Sequence, residues 1–294
     1  MRVRVGKLIY DLAARLTRYL PHFRGKWQVV DFVSRAGLPF RDAGDAMRTV
    51  RMKDGSLMIW DLRDITERRA AWLGMYDEFI RQAIVARLAP GAVVLDVGAN
   101  VGAWTIPLAR QIGTSGIVCA FEPVPANLRR LEQAIALNAL LNVQVSSIAL
   151  GDGSRSVDMW LKSEQTGADS GTAAVVPVGT GHLTVSMRTL DEWAANTGLH
   201  RLDFIKLDVE GAEFLVLVGA TSVLKRFRPL ILAEFDDYWM TTHGKSAVDI
   251  ARWAEDWHYR VLRWNRHERR FVLADHPRAE ETLLVPDEHY VVSA

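Results

Sequence analysis

Residues 93–102, Val93-Val94-Leu95-Asp96-Val97-Gly98-Ala99-Asn100-Val101-Gly102, run from an apolar strand through an acid into a glycine turn. An apolar run this short, bounded by glycines, reads as a buried strand. Gly98 permits the tight turn, and Gly102 lets the following helix pack closely on the strand. Asn100 stands where a dinucleotide-binding turn has its second glycine, the one that admits a pyrophosphate, so the pattern departs from an NAD fingerprint. Asp96 suits a ligand with a positive charge near the turn, while the N-terminus of the following helix suits a carboxylate. An amino-acid zwitterion meets both demands.

Outward from this turn, apolar runs alternate with helical patterns. The runs are Ile117 to Glu122, Val143 to Leu150, Phe204 to Val209 and Leu230 to Phe235. Helices are predicted over about 102–112, 125–139, 212–226 and 246–257. Such alternation specifies an α/β fold, a doubly wound and mostly parallel sheet. An insert at about 153–200 adds strands around Val157–Lys162 and Leu183–Thr189. Its middle, Thr166 to Gly181, is rich in Gly, Thr, Ala and Ser and reads as a mobile loop. Tyr259 to Val292 suggests antiparallel strands closing one edge.

Upstream, residues 7–20 carry a helical apolar stripe ended by Pro21 and Gly25. Residues 47–62 read as a hairpin about Lys53-Asp54-Gly55-Ser56, and a helix follows from about Asp77 to Leu88. The organisation expected is an accessory cap over residues 1–70 and a catalytic unit over 71–294.

Four apolar runs end in acids: Asp96, Glu122, Asp208 with Glu210, and Glu234. One carboxylate at a strand end is ordinary capping chemistry. Several beside a glycine turn mark the ligand crevice of an open parallel sheet. Glu122 follows Gly98 by 24 residues, placed to hydrogen-bond both hydroxyls of a ribose. A zwitterionic amino acid joined to a ribose describes S-adenosyl-L-methionine, which is the cofactor expected.

The segments VVLDVGANVGAWT, AFEPVPANLRRLEQAIALN, ALGD and DFIKLDVEGAEFLVLVGA resemble the FkbM-type S-adenosylmethionine-dependent methyltransferases, over roughly residues 72–236. The resemblance implies a class I methyltransferase-like, Rossmann-like sheet of seven strands with a terminal antiparallel hairpin. It implies O-methylation of sugar or polyketide hydroxyls. It also maps Asp96, Gly98, Asn100 and Gly102 to the cofactor loop, Glu122 to the ribose and Asp152 to the adenine edge. Gly74-Met75-Tyr76-Asp77 is similar to a Gly-x-Tyr-Glu segment preceding the first strand in many members, which brings Tyr76 to the cofactor. Asp77 stands in place of the longer acid.

Methyl transfer to a hydroxyl needs two oriented reactants and a base for the departing proton. Strand alternation sets Lys206, Asp208 and Glu210 on one face. Asp208 is the first candidate for the base and Glu210 the second. Lys206 is a candidate to stabilise a developing alkoxide, and His243, beyond the fifth strand, an alternative base. Packing supplies a plain account of each: a Lys206–Asp208 ion pair, Glu210-Gly211 opening a helix, a solvated His243. Asp208, Glu210 and Glu234 form an alternative oxygen-rich magnesium site, ranked below a metal-free one. Cys119, the single cysteine, reads as a small core residue.

Composition sets the outer bounds. With 36 Lys+Arg against 35 Asp+Glu over 294 residues, near-neutral charge argues against a dedicated nucleic-acid binder. The acceptor expected is a small molecule or glycan. No apolar run reaches the length of a membrane span, and one cysteine suits a reducing compartment, so a cytoplasmic location is expected. The basic amphipathic N-terminus leaves three readings open: peripheral contact with the inner membrane surface, a homodimer contact, or a solvated helix capping the catalytic unit. Two functional alternatives also stand. One is nitrogen or carboxyl methylation on the same fold; the other is a catalytically silent cofactor-binding assembly protein. Arg266, His267, Arg269 and Arg270 read as a solvated hairpin tip.

Overall fold

A computed structural model describes residues 2–20, 25–26, 28, 30–32, 46–161, 173–174, 181–277 and 281–290. Pro21 and most of the loop expected over 166–181 lie outside them. The strands are β1 (Met47–Arg51), β2 (Leu57–Asp61), β3 (Val93–Val97), β4 (Ile117–Phe121), β5 (Val143–Ser146), β6 (Ala149–Leu150), β7 (Arg155–Leu161), β8 (Ala173–Ala174), β9 (Gly181–Arg188), β10 (Phe204–Leu207), β11 (Leu230–Glu234), β12 (Tyr259–Asn265), β13 (Arg270–Leu273) and β14 (Glu281–Pro286).

The main sheet has eight strands in the order β13-β12-β14-β11-β10-β3-β4-β5. The five from β5 to β11 run parallel, and β14, β12 and β13 continue antiparallel. The class I methyltransferase-like arrangement expected is therefore present with eight strands rather than seven. The extra one is β13, added at the edge because the chain reverses over residues 266–269 and pairs back on β12. Strand order reverses between β3 and β10, which sets the crevice at their carboxyl ends.

Alternation along the strands sorts side chains to two helical layers. Leu95, Val97, Ile205, Leu207 and Ile231 face the helices Leu190–Thr197, Glu213–Val218, Thr221–Phe227 and Ala247–Asp256. Val94, Val118, Phe204 and Leu232 face Glu78–Val85 and Thr105–Ile112. Each fully buried aliphatic or aromatic side chain contributes about 1.5–3 kcal/mol. Cys119 is buried in this core, as expected.

Two expectations are corrected. The run Val143–Leu150 is two strands, because the chain leaves the main sheet after Ser146. Leu150 then pairs with Arg188 in a second sheet of order β6-β9-β7-β8 built by the insert. The helix expected over 212–226 is two helices broken at Gly219. A Cβ there would lie 2.0 Å from the Gly151 carbonyl oxygen, so only glycine lets the second sheet's loop approach. The N-terminal segment also holds an unforeseen helix, Ile65–Leu73, capped by Asp64.

The N-terminal hairpin is fastened at three points. Asn138, ending the helix Pro125–Leu137, exchanges hydrogen bonds with the Leu57 backbone at 2.7 and 2.8 Å. Arg130 donates to both carboxylate oxygens of Glu67 and to the Ile59 carbonyl. The buried Arg81 guanidinium lies 2.9 Å from Asp54.

Candidate active site

The turn after β3 is closed by the sheet. Gly98 and Ala99 donate their backbone N–H groups to the Phe121 carbonyl at 3.0 and 2.9 Å. Gly98 has φ +83°, and a Cβ there would lie 1.9 Å from the Asp208 carbonyl oxygen. The backbone after β10 thus crosses directly over the glycine. Gly102 has φ +91°, and its Cβ position falls 2.8 Å from Leu131 of the helix Pro125–Leu137, so the close approach is to that helix and not to the preceding strand. Asn100 has φ +49°, a left-handed conformation that asparagine tolerates. Its side-chain Oδ1 is buried and accepts no hydrogen bond.

Glu122 sits at the end of β4, 4% exposed. Its two oxygens accept from the backbone of Asn100 and of Val124, each at 2.8 Å, and Asn127 is 3.5 Å away. Burial raises its carboxyl to about 7. A carboxylate has about four acceptor positions, so with Asn100, Val124 and Asn127 donating, capacity remains for a further hydroxyl donor. Asp96 is buried beneath the turn, accepts from the Thr105 hydroxyl, and is raised by burial to about 6.

These groups line a cavity of about 270 Å³ running from Asp96 and Tyr76 past Gly98 and Asn100 to Glu122 and Leu150. The N-terminal hairpin and the helix after it contribute Trp60, Asp64 and Glu67 to its wall, and the second sheet contributes Arg155, Met159 and Met187. Neither set was singled out in the sequence, because the tertiary fold and not a local motif brings these segments to the glycine turn.

At the crevice, Lys206 is 1% exposed. Its ammonium lies 3.3 Å from Asp208 Oδ2, 3.9 Å from Glu281 Oε1 and 5.7 Å from the Trp104 ring centre. Asp77 accepts from Trp104 Nε1 at 3.2 Å. Burial opposes the charge on Lys206, but Asp208 and Glu281, with Asp77 and Asp96, more than offset it and hold the lysine pKa above its ordinary value. Both Glu281 and Asp77 are raised by burial against the pull of the same ammonium. Glu281 was missed. It is legible once β14 is known to run antiparallel, because that strand then starts where the parallel ones end, opposite Glu234.

The candidates therefore divide. Tyr76, Asp96, Gly98, Asn100, Glu122, Asp208, Glu210 and Glu234 share one cavity wall. Gly102 supports it from behind. Asp152 is not among the lining residues and pairs with Arg155 at 2.8 Å, since the chain turns into the second sheet just before it. His243 lies outside the cavity too, in the turn ending the helix Asp237–Thr242, so the structure does not bring it to the acids as an alternative base. The magnesium set of Asp208, Glu210 and Glu234 is not assembled: among the described residues no group of three or more His, Cys, Asp or Glu is arranged to hold a metal. Among them, too, no helix is long and apolar enough to cross a membrane.

The family model for the methyltransferase FkbM domain matches residues 96–261, more than half of the chain. Two curated relatives are Methyltransferase 1 of Beauveria bassiana, 27% identical over 48% of this chain and 66% of its own, and the 2-O-methyltransferase NoeI of Sinorhizobium fredii, 26% identical over 53% and 68%. A 28% match to the AMB antimetabolite synthetase AmbE of Pseudomonas aeruginosa covers 58% of this chain but a tenth of that protein. A solved methyltransferase FkbM from Methylobacillus flagellatus KT aligns with TM-score 0.47 at 16% identity, over 74% of this chain and 53% of that one.

Proposed function

From the premise that this chain belongs to the FkbM methyltransferase domain family, we propose that its cavity takes S-adenosyl-L-methionine and that the protein methylates a hydroxyl of a saccharide or secondary metabolite. The observation that carries this reading is the pairing of an unsatisfied Asn100 Oδ1 with the buried Glu122 carboxylate around the Gly98 turn. A buried acceptor without a donor costs free energy until a ligand supplies one. Asn100 and Glu122 are acceptors suited to ammonium and ribose hydroxyl donors, and Asp96 adds negative charge beneath them. The residues present fit the group. NoeI, a 2-O-methyltransferase by name, supports an oxygen acceptor.

When bound, the cofactor supplies an electrophilic methyl whose carbon–sulfur bond breaks, its electron pair staying on sulfur, as the new carbon–oxygen bond forms. The protein supplies position and proton transfer. Asp208 and Glu234 line the cofactor cavity and also a second, adjoining one. Asp208 is 41% exposed at its side chain and held by Lys206, so it faces a hydroxyl without being buried by its partner. It takes the acceptor's proton as the bond to oxygen forms. Lys206 positions Asp208 and offsets the surrounding acids.

The test is transfer of labelled methyl from S-adenosylmethionine to a panel of hydroxylated acceptors. Oxygen methylation by the wild type, with kcat lowered by about 10²–10⁴ in Asp208→Asn, supports the reading. Labelling of amines or carboxylates alone would replace the hydroxyl acceptor, and full turnover by Asp208→Asn would remove Asp208 as the base.

A further inference from the structure

The second cavity holds about 800 Å³ and meets the first at Thr66, Tyr76, Asp208 and Glu234, which line both. Its inner end is acidic, formed by Asp208, Glu234, Glu281 and Asp77. Its outer end is cationic. Arg69 comes from the N-terminal segment, and Arg266, His267 and Arg269 from the turn joining β12 to β13; the lining also holds Lys26, buried and donating to the Leu20 carbonyl, and Glu78, which accepts from Gln82. Residues more than 190 positions apart in the chain thus converge on one opening.

The turn sorts its charges. Glu268, its one acid, is absent from the cavity lining and accepts from Asn265 Nδ2 and Arg270 Nε, each at 2.6 Å. Arg266, His267 and Arg269 line the cavity instead. Arg69 is committed to Asp31, and the Arg269 guanidinium lies 4.1 Å from the Phe79 ring centre. Arg266 is exposed and has neither ion-pair nor hydrogen-bond partner among the described residues. Facing an opening in this way, Arg266 and Arg269 offer guanidinium donors matched to phosphate or carboxylate oxygens.

We propose that this cavity is the acceptor site and that the acceptor carries an anionic group, phosphate or carboxylate, bound by Arg266 and Arg269 while its hydroxyl reaches Asp208. This rests on the hydroxyl-methylation reading for the acceptor's orientation; the anion site itself does not. A neutral acceptor would leave the cationic end without a partner. An anion at the acidic end would meet four carboxylates, Asp77, Asp208, Glu234 and Glu281. The charge gradient along the cavity therefore fixes which end of the acceptor enters first.

Titration calorimetry of the full chain with inorganic pyrophosphate tests the anion site, with and without saturating S-adenosylhomocysteine so that binding at the glycine turn is recognised. The comparison variant is Arg266→Gln with Arg269→Asn; asparagine tolerates the φ of +51° at position 269. Pyrophosphate should bind the wild type in the presence of S-adenosylhomocysteine and bind the double variant about tenfold more weakly. Affinity for S-adenosylhomocysteine and the thermal midpoint should be unchanged. In the transfer assay, hexuronates or hexose phosphates should be methylated in preference to the matching neutral hexoses, and the double variant should raise KM for the anionic acceptors alone. No pyrophosphate binding by the wild type, equal binding by the variant, or preference for neutral hexoses would overturn the proposal. Failure of the wild type to bind S-adenosylhomocysteine would instead strike the cofactor reading and leave the pyrophosphate result to stand separately.

Discussion

The buried Lys206 ammonium lies 3.3 Å from Asp208 Oδ2, a pair joining the side chain at the centre of the sheet to the one that faces both cavities. Asp77, Asp96 and Glu281 lean on the same cation. Lys206→Met should leave buried carboxylates uncompensated and cost about 3–5 kcal/mol in urea unfolding. Recovery of part of that loss at acidic pH, where the carboxylates protonate, would identify the mechanism; a stability equal to wild type would contradict it.

Glu213 gives the clearest pH signature. Its Oε1 accepts from the Val209 and Gly211 backbone, while its buried Oε2 has no partner. Burial raises its carboxyl from 4.5 to about 7. A folded-state pKa above the unfolded one means the contribution is full below pH 4.5 and is lost as pH rises through about 7. Glu122 shifts in the same direction over the same window. Wild-type stability should therefore fall between pH 5 and 8, and Glu213→Gln, which keeps the accepting oxygen, should flatten the fall by about 3 kcal/mol. An unchanged slope in urea midpoints would reject this assignment.

Glycine at position 98 is required by contact as well as by conformation. Gly98→Ala puts a methyl against the Asp208 carbonyl, whereas Gly198→Ala, at φ +66°, meets nothing within 4 Å. The first should exceed the second by about 1–3 kcal/mol of thermal or urea stability. Gly98→Ala should also weaken S-adenosylhomocysteine binding. Equal effects of the two substitutions would mean that only backbone strain is at work.

The Arg130–Glu67 pair should govern docking of the N-terminal hairpin. Arg130→Met leaves Glu67, which also accepts from the Asp61 backbone, buried without its guanidinium. The expected loss is about 3–5 kcal/mol. Limited proteolysis should then open the segment Met47–Asp61 before the main sheet; simultaneous cleavage throughout would argue that the hairpin is not a separable unit.

The parallel half of the sheet was legible because β3, β4, β10 and β11 are short apolar runs ended by acids, and Gly98, Asn100 and Glu122 sit at fixed distances from them. Less was legible where contacts are distant in sequence. Asp152 was placed at the cofactor by the resemblance of its ALGD segment; pairing of Ala149–Leu150 with β9 diverts the chain, and no local pattern encodes that partner. Glu281 is close to Lys206 only through the antiparallel register of β14 against β11. Arg266 and Arg269 looked like a solvated tip because a hairpin turn carries no sign of the cavity it borders.

The central claim is most directly tested by calorimetric titration of the wild-type chain and Glu122→Leu with S-adenosylhomocysteine, with NAD as the control ligand. One site for S-adenosylhomocysteine, lost or weakened about a hundredfold when the buried acceptor pair is removed, and no binding of NAD, is the predicted result. Tight binding of NAD alone, or S-adenosylhomocysteine binding indifferent to Glu122, would contradict it.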